Sequence, residues 1–108
     1  MPKYLLAATL TQSGVQGVLK EGGTSRREAV QKTAESVGGT LEAFYFAFGE
    51  TDVYLIIDAP DAAAAVAASM ATTASGAVRV NTTVLLTPEE VDEVGTRAKS
   101  VEYRPPGA

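Results

Sequence analysis

Apolar residues along this chain change their period several times, and each change marks a new element. Residues 3–10 (KYLLAATL) form a short, nearly continuous apolar run, the pattern of a buried strand. Ser13 and Gln16 then stand at capping-box spacing ahead of Val15, Val18 and Leu19, which predicts a short helical turn broken by Gly22-Gly23. A second start follows at once. Ser25 sits three residues before Glu28, and Ala29, Val30, Thr33, Ala34 and Val37 recur at helical spacing. Gly38-Gly39 close this main helix, because glycine takes the left-handed conformation without a Cβ clash.

Residues 41–48 (LEAFYFAF) and 53–58 (VYLIID) carry the aromatic and β-branched residues of strands, with Gly49-Glu50-Thr51-Asp52 as a hairpin loop between them. After Pro60, Asp61 caps an alanine-rich helix that runs to about Thr73 and ends at Ser75-Gly76. Residues 78–86 (VRVNTTVLL) read as the last strand. Thr87-Pro88-Glu89-Glu90 opens a final helix with cap, N1 proline and N3 glutamate in order, and Val91, Val94 and Ala98 as its apolar stripe. The expected organisation is one domain over residues 1–100 and an extended or disordered tail over 101–108, where Pro105-Pro106 cannot continue a helix.

The order β-α-β-β-α-β plus a terminal helix predicts an α+β fold of the ferredoxin-like, split βαβ kind: a four-stranded antiparallel sheet with its helices on one face. Pairing Phe48 with Val53, Phe46 with Leu55 and Phe44 with Ile57 places those six residues on the face beneath the helices. Glu42 would then share the aromatic face, near solvent at the strand's start. The other face carries Ala43, Tyr45, Ala47, Tyr54, Ile56 and Asp58, and a solvated antiparallel face should instead alternate polar outward. A second sheet is expected to cover it, most economically from another copy in a twofold dimer or a multiple of dimers, which makes a two-chain barrel. In the last strand, Val78, Val80, Thr82, Val84 and Leu86 would face the helices, and Arg79, Asn81, Thr83 and Leu85 the second sheet.

Composition narrows the chemistry. The chain has 108 residues, nine Lys+Arg against thirteen Asp+Glu, no Cys and no His. Thiol nucleophiles, disulfides, histidine bases and almost every zinc, copper or haem site are thereby excluded, and neither a metal nor a cofactor is expected. A net charge of −4 argues against nucleic acid as partner. Without an apolar run of 18 residues or a leader-like N-terminus, the expectation is a soluble cytoplasmic protein with no membrane role.

Three long stretches, GVLKEGGTSRREAV, LEAFYFAFGETDVYLIID and ASGAVRVNTTVLLTPEEVDE, together with the closing YRPPG, resemble the GYD domain family over nearly the whole chain. The resemblance implies a ferredoxin-like protomer related to dimeric α/β-barrel proteins, and carries no assigned biochemical role. The family's Gly-x-Tyr-Asp signature falls on Gly49, Thr51 and Asp52, so Thr51 departs from it. The same turn is similar to a Gly-x-x-Asp hairpin in the effector-binding domains of feast/famine-type regulators, which suggests a small-molecule ligand.

Several candidate sites stand beside plainer explanations. Ser25, Arg26 and Arg27 at a glycine-rich helix start could hold an anion, or simply form a capped kink between helices. The run GVLKEGGT is not a P-loop, since Gly23 stands where the lysine is required. Gly14-Val15-Gln16-Gly17 matches the G-x-x-G of one RNA-binding fold, without basic flanks. Asp52, Asp58, Glu42 and Glu50 could pair for acid–base work or hold a hard cation through oxygen ligands, or simply be solvated, with Asp52 bonding its neighbouring backbone in an Asx-turn. Arg79 needs either an acid, Asp58 or one from a second chain, or the carboxylate or phosphate of a ligand. Tyr45 and Tyr54 would line such a ligand or pack an interface.

Two function classes follow. One is a homo-oligomeric module that binds a small metabolite or another protein. The other is a cofactor-independent enzyme, a monooxygenase or isomerase by analogy with the barrel architecture, with Asp52, Glu42 or Tyr45 moving the proton.

Overall fold

The computed structural model describes residues 1–108, and the expected order of elements is present. Strands β1 (Lys3–Leu10), β2 (Thr40–Phe46), β3 (Val53–Asp58) and β4 (Val78–Leu85) form one sheet in the order β2-β3-β1-β4, with every neighbouring pair antiparallel. This is the split βαβ arrangement: β3 inserts between β1 and β2, and β1 between β3 and β4. Helices α1 (Gln12–Glu21) and α2 (Gly23–Ser36) follow β1, α3 (Ala62–Ala74) follows β3, and α4 (Pro88–Ala98) closes the chain.

Alternation along the central strands sets the core. Tyr4, Leu6 and Ala8 of β1 and Val53, Leu55 and Ile57 of β3 are buried on one face, beneath Ala34 of α2 and Ala65 and Ala68 of α3. The caps explain why α3 and α4 start where they do. Asp61 accepts a 2.9 Å bond from the Ala64 amide, and Thr87 and Glu90 form a reciprocal capping box. Gly38, with φ 82°, turns the chain out of α2 as expected.

The N-terminal helices differ from expectation. The segment after β1 is a helix of ten residues capped by Thr11, not a turn capped by Ser13. Thr11 wins because its backbone N–H and hydroxyl also reach the carbonyls of Ala77 and Gly76 across the fold, at 3.0 and 2.8 Å. Helix α2 begins at Gly23, two residues before Ser25, with Gly22 as its cap and no side-chain cap bond.

The hairpin register is two residues from the predicted one. Phe46 pairs with Val53 and Phe44 with Leu55, so the loop spans residues 47–52 and Phe48 leaves the strand with a left-handed φ of 55°. A shift of two leaves each side chain on its expected face. Asp52 explains the longer loop. Its amide donates to the Ala8 carbonyl at 3.0 Å and its carboxylate accepts from the Leu10 amide at 2.8 Å, anchoring the loop to the end of β1. It makes no local Asx-turn. Lower in the strand, a bulge between Leu41 and Ala43 sets two residues, Glu42 and Ala43, against Ile56, and turns Glu42 onto the open face rather than the aromatic one.

Helix α4 has no buried residue, and Val91 and Val94 of its apolar stripe are about half exposed. The helix-side residues Val84 and Leu86 are likewise exposed, because no helix reaches that end of β4. The radius of gyration, 17.0 Å, exceeds the roughly 13 Å of a compact chain of this length, since α4 and the residues after it stand away from the sheet. Residues 101–108 contain no helix or strand. No helix is long and apolar enough to cross a membrane.

Candidate functional site

The open face of the sheet reads in rows across β2, β3, β1 and β4. One row is Tyr45, Tyr54, Ala7 and Asn81; the next is Ala43, Ile56, Leu5 and Thr83. Tyr45 and Tyr54 are cross-strand partners, 71% and 43% exposed, with no hydrogen bond to either hydroxyl within the protomer. Apart from Asn81 and Thr83 at the β4 edge, both rows are aliphatic or phenolic. No part of the protomer covers them.

Charge lies at the two ends of this face. Lys3 bridges Glu42 and Asp58, each at 3.0 Å, and Thr40 donates to Asp58 at 3.3 Å. At the far corner Arg79, opposite Thr9, is exposed and makes no ion pair within the protomer. Asp58 pairs with Lys3 at the other end of β1, six residues from Thr9, which at about 3.3 Å per residue removes Asp58 of the same chain as a partner for Arg79.

The Lys3 ammonium holds the Asp58 carboxyl below its ordinary value of 3.8, chiefly through their hydrogen bond, and the same bond with that to Glu42 raises Lys3 above 10.5. A depressed carboxylate stabilises the fold above its unfolded pKa and loses that contribution as pH falls through the folded one. A raised amine acts the other way, losing its contribution only as pH climbs past 10.5. The bridge is therefore fully formed through neutrality. Asp58→Asn should lower Tm slightly and evenly across neutral pH, with the gap to the wild type closing below about pH 4. Thermal melts at a series of pH values read this, and a gap that persists at low pH would assign the loss to packing.

On the helix face, α2 lies over the outer strand β2 and α3 over the outer strand β4. Between them is a cleft of about 70 Å³ above the central strands, floored by Leu6, Leu55 and Val80 and walled by Val30 and Ala68. Twelve of its fifteen lining residues are hydrophobic, and Arg26, Thr33 and Thr72 are the polar ones. These three also border a more polar groove toward α1, with Ser13, Glu21 and Ser75. Arg26 approaches Glu21 at 4.0 Å, the outer limit of an ion pair.

The other expected constellations do not assemble. Ser25 donates to Glu21 at 3.3 Å, and Arg27 is exposed while Arg26 turns to the cleft, so the three do not converge on one anion. Gly14 and Gly17 lie inside α1 rather than in a loop that could clamp a nucleic-acid backbone. Asp52 is bonded to Leu10, Glu42 to Lys3, and Tyr45 stands on the outer strand, so no two of them share a site. No cluster of acidic residues is placed to hold a metal ion. Sequence reasoning missed the cleft. Its only signal in the sequence is the alanine run of α3, which puts little side-chain volume over the sheet.

A family model described as the GYD domain matches residues 4–94. The chain belongs to the GYD domain family. The match takes in β1 from its second residue, the other three strands and the first three helices, and ends within α4. No curated protein and no solved structure matches the chain. In this GYD domain the Gly49–Asp52 signature is a structural turn: Asp52 ties it to β1, and Thr51 supplies its carbonyl to the Gly49 amide at 3.2 Å.

Proposed function

We propose that this GYD domain is a homodimeric, non-catalytic binding module whose two copies close their open sheet faces on each other and which takes a small metabolite. One observation carries the pairing: the rows through Tyr45–Ala7 and Ala43–Leu5 are apolar where a solvated sheet face alternates polar outward. A second copy suits the face because its charges are self-complementary. Glu42 sits at the β2 corner of one end and Arg79 at the β4 corner of the other. A two-fold axis in the interface, oblique to the strands, lays each Arg79 over the acidic end of the opposite copy.

The exposed stripe of α4 offers further surface to the same interface. Four strands at about 4.8 Å spacing and about 26 Å length present roughly 500 Å². A stable interface takes about 800 Å² from each partner. The uncovered stripe of Val91 and Val94, on a helix projecting from the protomer, supplies apolar surface toward the difference.

Native mass spectrometry of gently purified protein at micromolar concentration tests both parts. A species at twice the 11.2 kDa protomer mass, or a multiple of it, carrying a small added mass is expected. A monomer would sink the pairing, and a bare dimer would remove the metabolite from the purified state.

A further inference from the structure

We propose that the cleft between α2 and α3 is a binding site for a small carboxylic acid with an aliphatic or aromatic body, the body lying on Leu55 and Val80 and the carboxylate gripped by Arg26. The proposal deepens the reading of the domain as a metabolite-binding module by naming the ligand class and placing the site on the helix side of the sheet, away from the paired face.

Protein interiors close to crystal-like density, and voids larger than a water are few. Here the two helices settle on the outer strands and the residues they turn to the sheet are small, Ala34 on α2 and Ala65 and Ala68 on α3. The centre of the sheet is left with about 70 Å³ above it. A water needs about 10–15 Å³ of such space, so it takes roughly five to seven heavy atoms. Water is a poor occupant. The floor and walls are hydrocarbon, and Thr33 and Thr72 already spend their hydroxyl protons on the Ala29 and Ala68 carbonyls, at 3.1 and 2.7 Å. An apolar body of that size fits instead.

Charge then selects the head group. Arg26 is the one cation among the residues lining the cleft, and it also borders the open groove beside it. At 4.0 Å from Glu21 its guanidinium has donors to spare. A planar fork of N–H donors matches a carboxylate bidentately, while the hydroxyls of Thr33 and Thr72 keep lone pairs but no free proton for a larger anion. Glu21, on the groove side, disfavours a dianion such as a phosphate monoester and tolerates a single negative charge held by Arg26.

Hexanoate and the matched neutral hexanamide are the probes. Titration of methyl-labelled protein, read by two-dimensional NMR, should shift the signals of Val30, Leu55 and Val80, with hexanoate binding at a Kd of about 1 mM or tighter. Arg26→Gln should weaken hexanoate at least tenfold and leave hexanamide unchanged. Ala68→Leu, which fills the cleft, should abolish both; if that variant does not fold, Arg26→Gln still decides. The proposal is overturned by no shift in the cleft at about 10 mM, by shifts confined to Leu5 and Ile56 on the open face, or by equal binding of acid and amide in wild type and Arg26→Gln. The cleft lies within one protomer. Sedimentation of the same samples therefore separates its failure from failure of the dimer, since a monomer would bind hexanoate all the same.

Discussion

Tyr54→Glu is expected to turn the proposed dimer into monomers while leaving the protomer folded. Tyr54 lies on β3, one of the two central strands, flanked by Tyr45 and Ala7 on the open face. In the protomer the residue is 43% exposed, so the substitution asks little of the fold itself. Burying a carboxylate without a partner under a second sheet costs several kcal/mol, and each 1.4 kcal/mol is a tenfold change. Dissociation should strengthen about 100-fold or more. Sedimentation velocity across a concentration series measures this, with circular dichroism confirming the retained fold. An unchanged sedimentation profile would move the interface off this face.

The second large effect contrasts two glycines one helical turn apart. Gly14→Ala should destabilise the protein by about 3 kcal/mol, and Gly17→Ala should stabilise it by about 0.5–1 kcal/mol. A Cβ at position 14 would stand 2.1 Å from the Ala77 carbonyl oxygen, in the turn that leads into β4. That turn is already tied to α1 through the two bonds of Thr11, so neither backbone can retreat without breaking them. At position 17 a Cβ meets nothing within 4 Å, and alanine is simply the better helix former. For a domain of this size 1 kcal/mol moves Tm by about 4–8 °C, so the two variants should melt well apart, on opposite sides of the wild type. Equal melting temperatures would mean that the close approach of α1 to the 75–77 turn is not held in solution. The same contact accounts for the G-x-x-G spacing without nucleic acid: only its first glycine is sterically required.

The candidate site was legible only in part. Alternation placed Tyr45, Tyr54 and Arg79 on the open face, and the structure has them there, because a two-residue register error cannot move a side chain through a sheet. An insertion of one residue can, and the bulge at Glu42 did so, delivering that carboxylate to Lys3 and Asp58. Asp52 looked like a turn residue because its partner, the Leu10 amide, is 42 residues away in sequence. The trio Ser25, Arg26 and Arg27 came apart for a local reason: consecutive helical residues point about 100° apart, and only Arg26 faces the cleft.

The four strands, the helices α2, α3 and α4, their order and the split βαβ topology are all written in the chain. Those follow from signals carried within a few residues: apolar periods of two and of 3.6, the Asp61 and Thr87 caps, and the positive-φ exit at Gly38. Connection rules then leave few ways to stack four strands and two crossover helices. Where those elements stop touching emerges only in the folded chain. Helices α2 and α3 part over β3 and β1, and α4 leaves its own domain uncovered, because each outcome depends on side-chain volumes meeting across chain separations that no local pattern encodes.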